Sequence, residues 1–519
     1  MPRPTITFFV LVLFTFLLGL CPVQAESWFP PERCRGGTLW QDFIARHPHA
    51  AASPYAHAHT WDAPIDHFNA DDTSTFKQRY FFNDKFFQPL ANSSNNLVFL
   101  MIGGEGTLQG PPGGFVADLG KEHSALLVAL EHRFYGESFP KYDMSTEALS
   151  QYLTVNQALA DLAAFTDYLQ NSKFPNVPLC FFTIGGSYPG ALASWYRIVY
   201  PDKTIGSLSS SGVVNSILDF PQFDRYVARA IGESCAGRLR NVTHAFEDAL
   251  RIPAAACVTK GLFGCDCEMW DVDFFYMLAD AAAMVNQYGR KEELCSFLEG
   301  LEKDEEGRRK EPPSEFELVW RFANFTNRYY GPQFGASCFY DSRCAGDVSK
   351  ATLNERSWRW QKCSELAYFQ VAPLKKDEEV GNEGGGGGSL RSKKVTLEYH
   401  LEQCRRIFGE GVGEPRVEEI NARFGGSRPK ATRVFYSDFS DDPWQAASVL
   451  SEEDTEQPFQ LAVYDGAGHC SDLHEPTEED HPDLVNLRER FRTYLTQWLM
   501  EGEHGEGGKE TTDRKSVVR

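Results

Sequence analysis

Apolar positions in this chain form short unbroken runs in its first and last parts and fall at helical spacing in between. Residues 96–102 (Asn-Leu-Val-Phe-Leu-Met-Ile) are almost wholly apolar and enter Gly103-Gly104-Glu105-Gly106, which predicts a buried strand opening into a Gly-rich loop. Residues 125–130 predict a second buried strand, followed by Glu131-His132-Arg133-Phe134-Tyr135-Gly136. Ala158, Leu162, Phe165 and Leu169 recur at helical spacing across 154–169, a third buried strand is predicted at 179–184, and a helix at 189–199. Strands alternating with helices predict an α/β fold around a mostly parallel sheet.

The pattern changes after about residue 213. Helical stretches such as 274–285 are separated by a charged linker at 302–313 and a low-complexity stretch at 375–394, whose five consecutive glycines (384–388) predict a mobile loop. Strand patterns resume at 432–436 and 459–464, followed by a helix at 483–499. The expected organisation is a leader at 1–25, a sheet core built from 26–212 and 431–500, a helical insertion at 213–430, and a disordered polar tail at 501–519. Residues 26–75, rich in Pro and His, are expected to be irregular, and no internal repeat is present.

Composition narrows the function. The 519 residues carry a net charge of −21, which argues against nucleic acid or an anionic membrane as the main partner, because both select basic surfaces. Only one long apolar run exists, at the N-terminus. Arg3, the uncharged stretch 5–21 and Val23-Gln24-Ala25 have the layout of a cleavable secretory signal, with no membrane segment left after cleavage. Its removal takes Cys21 and leaves 12 cysteines, which in an oxidising compartment predicts disulfides. The spacing of Cys257, Cys265 and Cys267 does not fit a zinc site, and Cys180 in its apolar strand reads as a buried thiol. Sequons at Asn92, Asn241 and Asn324 fit the same route. His57 and His59 read as surface histidines and not as metal ligands, and acyl transfer by a serine needs neither metal nor cofactor.

The chemistry centres on Gly185-Gly186-Ser187-Tyr188-Pro189-Gly190, between a predicted strand and helix. A serine on such a sharp turn exposes its Oγ at the strand end, while the next helix offers free N–H groups to an oxyanion. The strict G-x-S-x-G pattern fails, because Pro189 stands where its last glycine would be. Partners for a triad follow in the required order, on loops after later strands. The segment Ser437-Asp438-Phe439-Ser440-Asp441-Asp442-Pro443-Trp444 offers three candidate acids, Asp438, Asp441 and Asp442, and the residues alone leave the choice among them open. His469 in Gly466-Ala467-Gly468-His469 is the candidate base, with His474 and His481 as rivals in a charged segment. The Tyr188 N–H and the loop at Gly104 and Glu105 are the candidate oxyanion donors. Glu105 could bind a substrate amine or pair with Arg133, and Ser209-Ser210-Ser211 reads as a strand end beside the site.

These residues, together with Asp66-His67-Phe68, the stretch 75–80, Gln157-Ala158-Leu159-Ala160-Asp161-Leu162, the stretch 185–201 and Asp442-Pro443-Trp444, resemble the serine peptidases typified by lysosomal Pro-Xaa carboxypeptidase, dipeptidyl peptidase II and thymus-specific serine protease. The resemblance spans about residues 60–475. It implies an α/β-hydrolase core with a largely helical, disulfide-rich cap inserted between the Ser and Asp segments, and cleavage of proline-containing peptides beside proline. It carries the catalytic roles to Ser187, Asp442 and His469, and substrate contacts to Glu105 and Trp444. The implied compartment is the lysosome, the vacuole or the exterior, and a homodimer is admitted without being fixed. One departure is local: Asp438-Phe439 stands where the family has Asn-Gly. An esterase or lipase on the same fold, or a non-catalytic binding protein, are the rival readings.

Overall fold

The computed structural model describes residues 57–89, 96–141, 143–299, 313–331, 334, 337–351, 353–373 and 389–504. The expected leader, the Asn92 sequon, nearly all of the charged linker, the five glycines and the tail beyond 504 lie outside the described residues.

Residues group into two compact units, one containing 48–216, 416–440 and 444–519, the other containing 217–415 and 441–443. The first holds an eight-stranded sheet of β1 (His59–Pro64), β2 (Thr75–Asn83), β3 (Asn96–Ile102), β4 (Leu126–Leu130), β5 (Leu179–Gly186), β6 (Ser207–Ser210), β9 (Val434–Phe439) and β10 (Phe459–Ala462). Their order is β1-β2-β4-β3-β5-β6-β9-β10. The pairs β1–β2 and β2–β4 are antiparallel and all later pairs are parallel. Its helices are α1 (Gly114–Glu122), α2 (Thr146–Tyr152), α3 (Val155–Tyr168), α4 (Tyr188–Val199), α13 (Val417–Phe424), α14 (Glu452–Thr455) and α15 (Pro482–His504). This strand order, with β2 reversed and a strand–turn–helix passing through Ser187, is that of an α/β-hydrolase.

Both faces of the parallel strands are covered, which explains their unbroken apolar runs; all five residues of β4 are buried. Successive strand residues point to opposite faces. Phe435 meets Phe491 of α15, with ring centroids 5.5 Å apart, and Tyr436 donates or accepts at Ser194 of α4 over 2.7 Å. The two helices therefore lie on opposite sides of the sheet. Thr154 caps α3 by accepting the Gln157 N–H, so the helix starts one residue after the predicted boundary.

Two expectations are corrected at the strands. Part of the stretch expected to be irregular forms β1, whose Trp61 and Ala63 point inward while Thr60 and Asp62 face solvent; its Pro and His content hid that alternation. The strand expected at 432–436 is β9 and continues to Phe439, paired with β10 up to Ala462. Asp438 is thus a strand residue and Phe439 part of the core, not members of the loop.

The Glu131–Gly136 segment ties the early strands together through buried charge. Glu131 is fully buried and accepts from Arg79 Nε and Nη2, from the Leu108 and Glu137 N–H groups, and from Ser138 Oγ. Arg133 is also fully buried. It donates Nε to Asp161 Oδ2 at 2.6 Å and Nη2 to Asp161 Oδ1 at 2.7 Å, and its remaining donors reach the carbonyls of Pro64, Ile65 and Tyr152. Every donor of the guanidinium is therefore occupied. Asp161 also faces His67 Nε2 at 2.6 Å.

The second unit holds α5 (Gln222–Ala249), α6 (Pro253–Gly261), α7 (Asp271–Gln287), α8 (Lys291–Glu299), α9 (Glu315–Tyr330), α10 (Ser342–Gly346), α11 (Leu353–Gln361), α12 (Leu397–Phe408) and a short parallel pair, β7 (Ile217–Asp219) with β8 (Ala367–Phe369). Among the described residues four disulfides join Cys235–Cys295, Cys257–Cys267, Cys338–Cys344 and Cys363–Cys404. Where the chain leaves and re-enters the sheet unit, Asn421 closes the neck: its Oδ1 accepts the Ser216 N–H at 3.0 Å and its Nδ2 donates to the Ser216 carbonyl at 2.8 Å.

Asp161→Ala leaves Arg133 as an uncompensated buried cation and is expected to destabilise the sheet unit by about 3–5 kcal/mol. A urea unfolding midpoint equal to that of the unchanged chain would contradict this.

Candidate active site

Ser187 caps α4 with φ 64° and ψ −129°, a conformation that a side-chain-bearing residue adopts only under constraint. The constraint comes from its neighbours. The Ser187 N–H donates to the Ser210 carbonyl at the end of β6 (2.9 Å), and its carbonyl accepts the Ala191 N–H at 3.1 Å. A Cβ on Gly185 would lie 2.0 Å from the Pro189 carbonyl oxygen, so only glycine fits there. The helix starts at Tyr188, one residue earlier than expected, with Pro189 in its first turn.

Pro189, the departure from the strict serine motif, is accommodated by the Gly-rich loop. A Cβ on Gly104 would stand 2.4 Å from Pro189 Cγ, so the loop passes directly over the proline ring. Its neighbour Gly103 is hung from the β4 end by an N–H donated to the Leu130 carbonyl at 2.9 Å. Tyr188 is fully buried and its hydroxyl faces His132 Nε2 at 3.1 Å. His132 Nδ1 lies 2.7 Å from the Arg133 carbonyl, which can only accept. Nδ1 therefore carries the proton and Nε2 accepts from the tyrosine. Burial lowers the His132 pKa to about 4, which keeps the ring neutral at mildly acidic pH.

His469 is buried in a loop that turns sharply at Gly466 (φ 84°) and Cys470 (φ 56°). That loop lies against the serine turn. A Cβ on Gly186 would be 2.9 Å from Cys470 Sγ, and Cys470 Sγ approaches to 3.6 Å the same Ser210 carbonyl that receives the Ser187 N–H. The residues flanking Ser187 and His469 are thus in contact. The half-buried Trp444 ring lies 6.5 Å from the His469 ring. Glu105 is half-buried. Desolvation raises its carboxyl pKa, while its own backbone N–H and the nearby His469 oppose the rise.

Of the three candidate acids, Asp438 Oδ1 accepts the Phe439 N–H at 2.8 Å. Asp441 pairs with Lys291 Nζ at 2.9 Å and its carbonyl receives Asn286 Nδ2. Asp442 is fully buried in the short segment Asp441–Pro443, which groups with the helical unit. Of the rival bases, His481 is exposed, stacks on Tyr464 at 4.7 Å and accepts the Asp483 N–H. His474 is half-buried, and its carbonyl receives the Phe115 N–H and Arg488 Nη2.

Several expectations change here. Arg133 belongs to Asp161 and not to Glu105, because its donors are already used by Asp161 and the carbonyls of Pro64, Ile65 and Tyr152. Cys257 pairs with Cys267 and leaves Cys265 as a buried thiol with its pKa pushed up to about 12, while Cys180 is a half-buried thiol pushed up to about 11. Both stay protonated and poorly nucleophilic. Cys470, immediately after His469, is a third unpaired thiol that sequence reasoning did not single out. His59 packs against Tyr80 and Phe82, and no group of side chains able to hold a metal occurs among the described residues. Asn241 is exposed and Asn324 half-buried, with its amide nitrogen buried. Ser209 to Ser211 are all buried at the β6 end, and Ser211 Oγ accepts the Cys470 N–H at 2.9 Å.

A strained serine between strand and helix, flanked by the loop that carries a histidine, defines a serine hydrolase of the α/β-hydrolase class. The family model described as serine carboxypeptidase S28 matches residues 63–491, and the chain belongs to that family. It is a serine-type peptidase, and its substrates are peptides. A probable serine protease, EDA2, of Arabidopsis thaliana is 32% identical over 84% of this chain and 87% of its own length. Thymus-specific serine protease of Mus musculus is 29% identical over 84% and 86%, and lysosomal Pro-X carboxypeptidase of Mus musculus is 26% identical over 95% and 98%. Lysosomal and extracellular relatives, together with the disulfides, fit the secretory pathway.

Gly104→Ala drives a methyl into the Pro189 ring and is expected to lower kcat/KM on peptides at least about tenfold by displacing the loop. Pro189→Gly in the same chain should recover part of that loss. An additive double-variant cycle would show that the contact is not what sets the loop.

Proposed function

We propose that the chain hydrolyses peptides next to proline through a Ser187–His469–Asp442 triad. The observation that carries this reading is the strained turn at Ser187 in contact, through Gly186 and Cys470, with the loop of His469. Ser187 Oγ attacks the scissile carbonyl and His469 takes its proton. Asp442 holds the imidazole in the tautomer that accepts it. The oxyanion is held by the Tyr188 N–H at the start of α4 and by the Gly104–Glu105 backbone. His469 then protonates the leaving amine, and water repeats the sequence on the acyl-enzyme. Trp444, beside His469, offers a flat apolar face of the kind on which a pyrrolidine ring packs. The name of the mouse Pro-X carboxypeptidase supports proline as the recognised residue. The proposed route is the secretory pathway, to the exterior or to an acidic organelle.

The test is incubation with proline-containing peptides, with free and blocked termini, at acidic and neutral pH, with products read by mass. Ser187→Ala is expected to abolish cleavage, and Ser187-independent cleavage would refute the triad. Loss of one C-terminal residue after proline identifies a carboxypeptidase, and release of an N-terminal Xaa-Pro dipeptide identifies a dipeptidyl peptidase.

In the dipeptidyl mode Glu105 is the anchor for the substrate amine, and pH checks it. Only the ionised carboxylate attracts an ammonium. A carboxyl with a raised pKa takes up its proton earlier as pH falls than an ordinary glutamate does. KM for free-amine peptides is therefore expected to rise on acidification more than KM for N-blocked peptides, and identical pH profiles for the two would rule the anchor out.

A further inference from the structure

Asp472 lies three residues beyond His469 and is fully buried. One carboxylate oxygen accepts from Ser210 Oγ and the other accepts from Ser437 Oγ at 2.6 Å. Ser210 ends β6, and its carbonyl is the acceptor for the Ser187 N–H. Ser437 lies in β9, the strand that leads to the candidate acids, and its carbonyl receives the Ser211 N–H at 2.8 Å. One carboxylate thus bridges two adjacent strands, at the end of β6 and within β9, and through β6 it reaches the strained serine turn. Arg488 of α15 grips the same loop, with Nε to the Asp472 carbonyl at 2.9 Å and Nη2 to the carbonyls of Ser471 and His474.

From this geometry we infer that Asp472 is a positioning residue, which fixes the His469 loop to Ser210 at the end of β6 and to Ser437 in β9 and so sets the separation between base and nucleophile. The inference rests on the triad reading above. Neither of its contacts involves a reacting atom. Its effect belongs on the chemical step and not on substrate affinity. Burial raises the Asp472 pKa, while the two serine hydroxyls and Arg488 oppose the rise. Asparagine keeps an acceptor for one hydroxyl and offers a donor to the other; alanine keeps neither.

Asp472→Ala, Asp472→Asn and Ser437→Ala are to be compared with the unchanged chain for kcat, KM and the rate at which a fluorophosphonate labels Ser187. In Asp472→Ala, kcat and the labelling rate are expected to fall about 100-fold with KM within about threefold, and Asp472→Asn should recover most of the loss. If Asp472→Ala does not fold, Ser437→Ala takes its place, with an expected loss of about tenfold in kcat at constant KM. An unchanged kcat in whichever of these variants is read, or an asparagine variant as slow as the alanine variant, overturns the inference. Ser187→Ala separates the two levels: residual Ser187-independent activity means that the triad reading has failed, whereas its loss beside a fully active Asp472→Ala means that only the positioning role has.

Discussion

Everything at the site depends on crowding at one turn. Where β5 gives way to α4, the Pro189 carbonyl would touch any side chain at 185, and the Pro189 ring would touch any at 104. Cys470 does the same at 186. The backbone of Ser187 is held in its unfavourable region by these contacts and by its hydrogen bonds to Ser210 and Ala191. A strained residue persists only where the surroundings over-determine it, with a local penalty on the order of 1–3 kcal/mol. That penalty is met by the packing of the whole strand end, which is why β6, the Gly-rich loop and the histidine loop all converge there.

That convergence requires a rigid sheet, and the early strands obtain rigidity from charges withdrawn from water. A buried guanidinium cannot lose its proton, so Arg133 is tolerable only with Asp161 and three carbonyls arranged around it. Glu131 is served in the same way by Arg79 and the turn that follows it. The two pairs sit two residues apart, just beyond β4. They explain why a segment as polar as Glu131-His132-Arg133 is nevertheless interior. His132, between them, contributes a neutral ring that holds Tyr188 in place.

Much of this was legible in the sequence. The apolar runs of β3, β4 and β5 announced themselves because both faces are covered, and the serine turn announced itself through its glycines. β1 was not legible: it is an edge strand whose period-two pattern is short and interrupted by histidine and proline. The extension of β9 through Asp438 was hidden because a buried aspartate reads as a loop residue. Asp472 and Cys470 could have been suspected only from their nearness to His469. Their partners Ser210, Ser437 and Gly186 come from distant parts of the chain, and no periodicity encodes such contacts. The choice of Asp442 likewise came from family resemblance and not from spacing.

The clasp at Asn421 has a consequence for how the chain is connected. β6 and β9 are neighbours in the sheet, with Ser210 opposite Ser437, yet the whole helical insertion lies between them in sequence. Closing so long a flexible loop is slow to nucleate, although each doubling of its length adds only about 0.6 kcal/mol. By holding both the N–H and the carbonyl of Ser216, Asn421 joins the two ends of the insertion at its base. The insertion, cross-linked internally by its disulfides, then acts as a closed module whose two exits emerge side by side. Within the folded chain the long connection between β6 and β9 is thereby shortened to the path that runs from Ser210 through Ser216 and Asn421 to Val434.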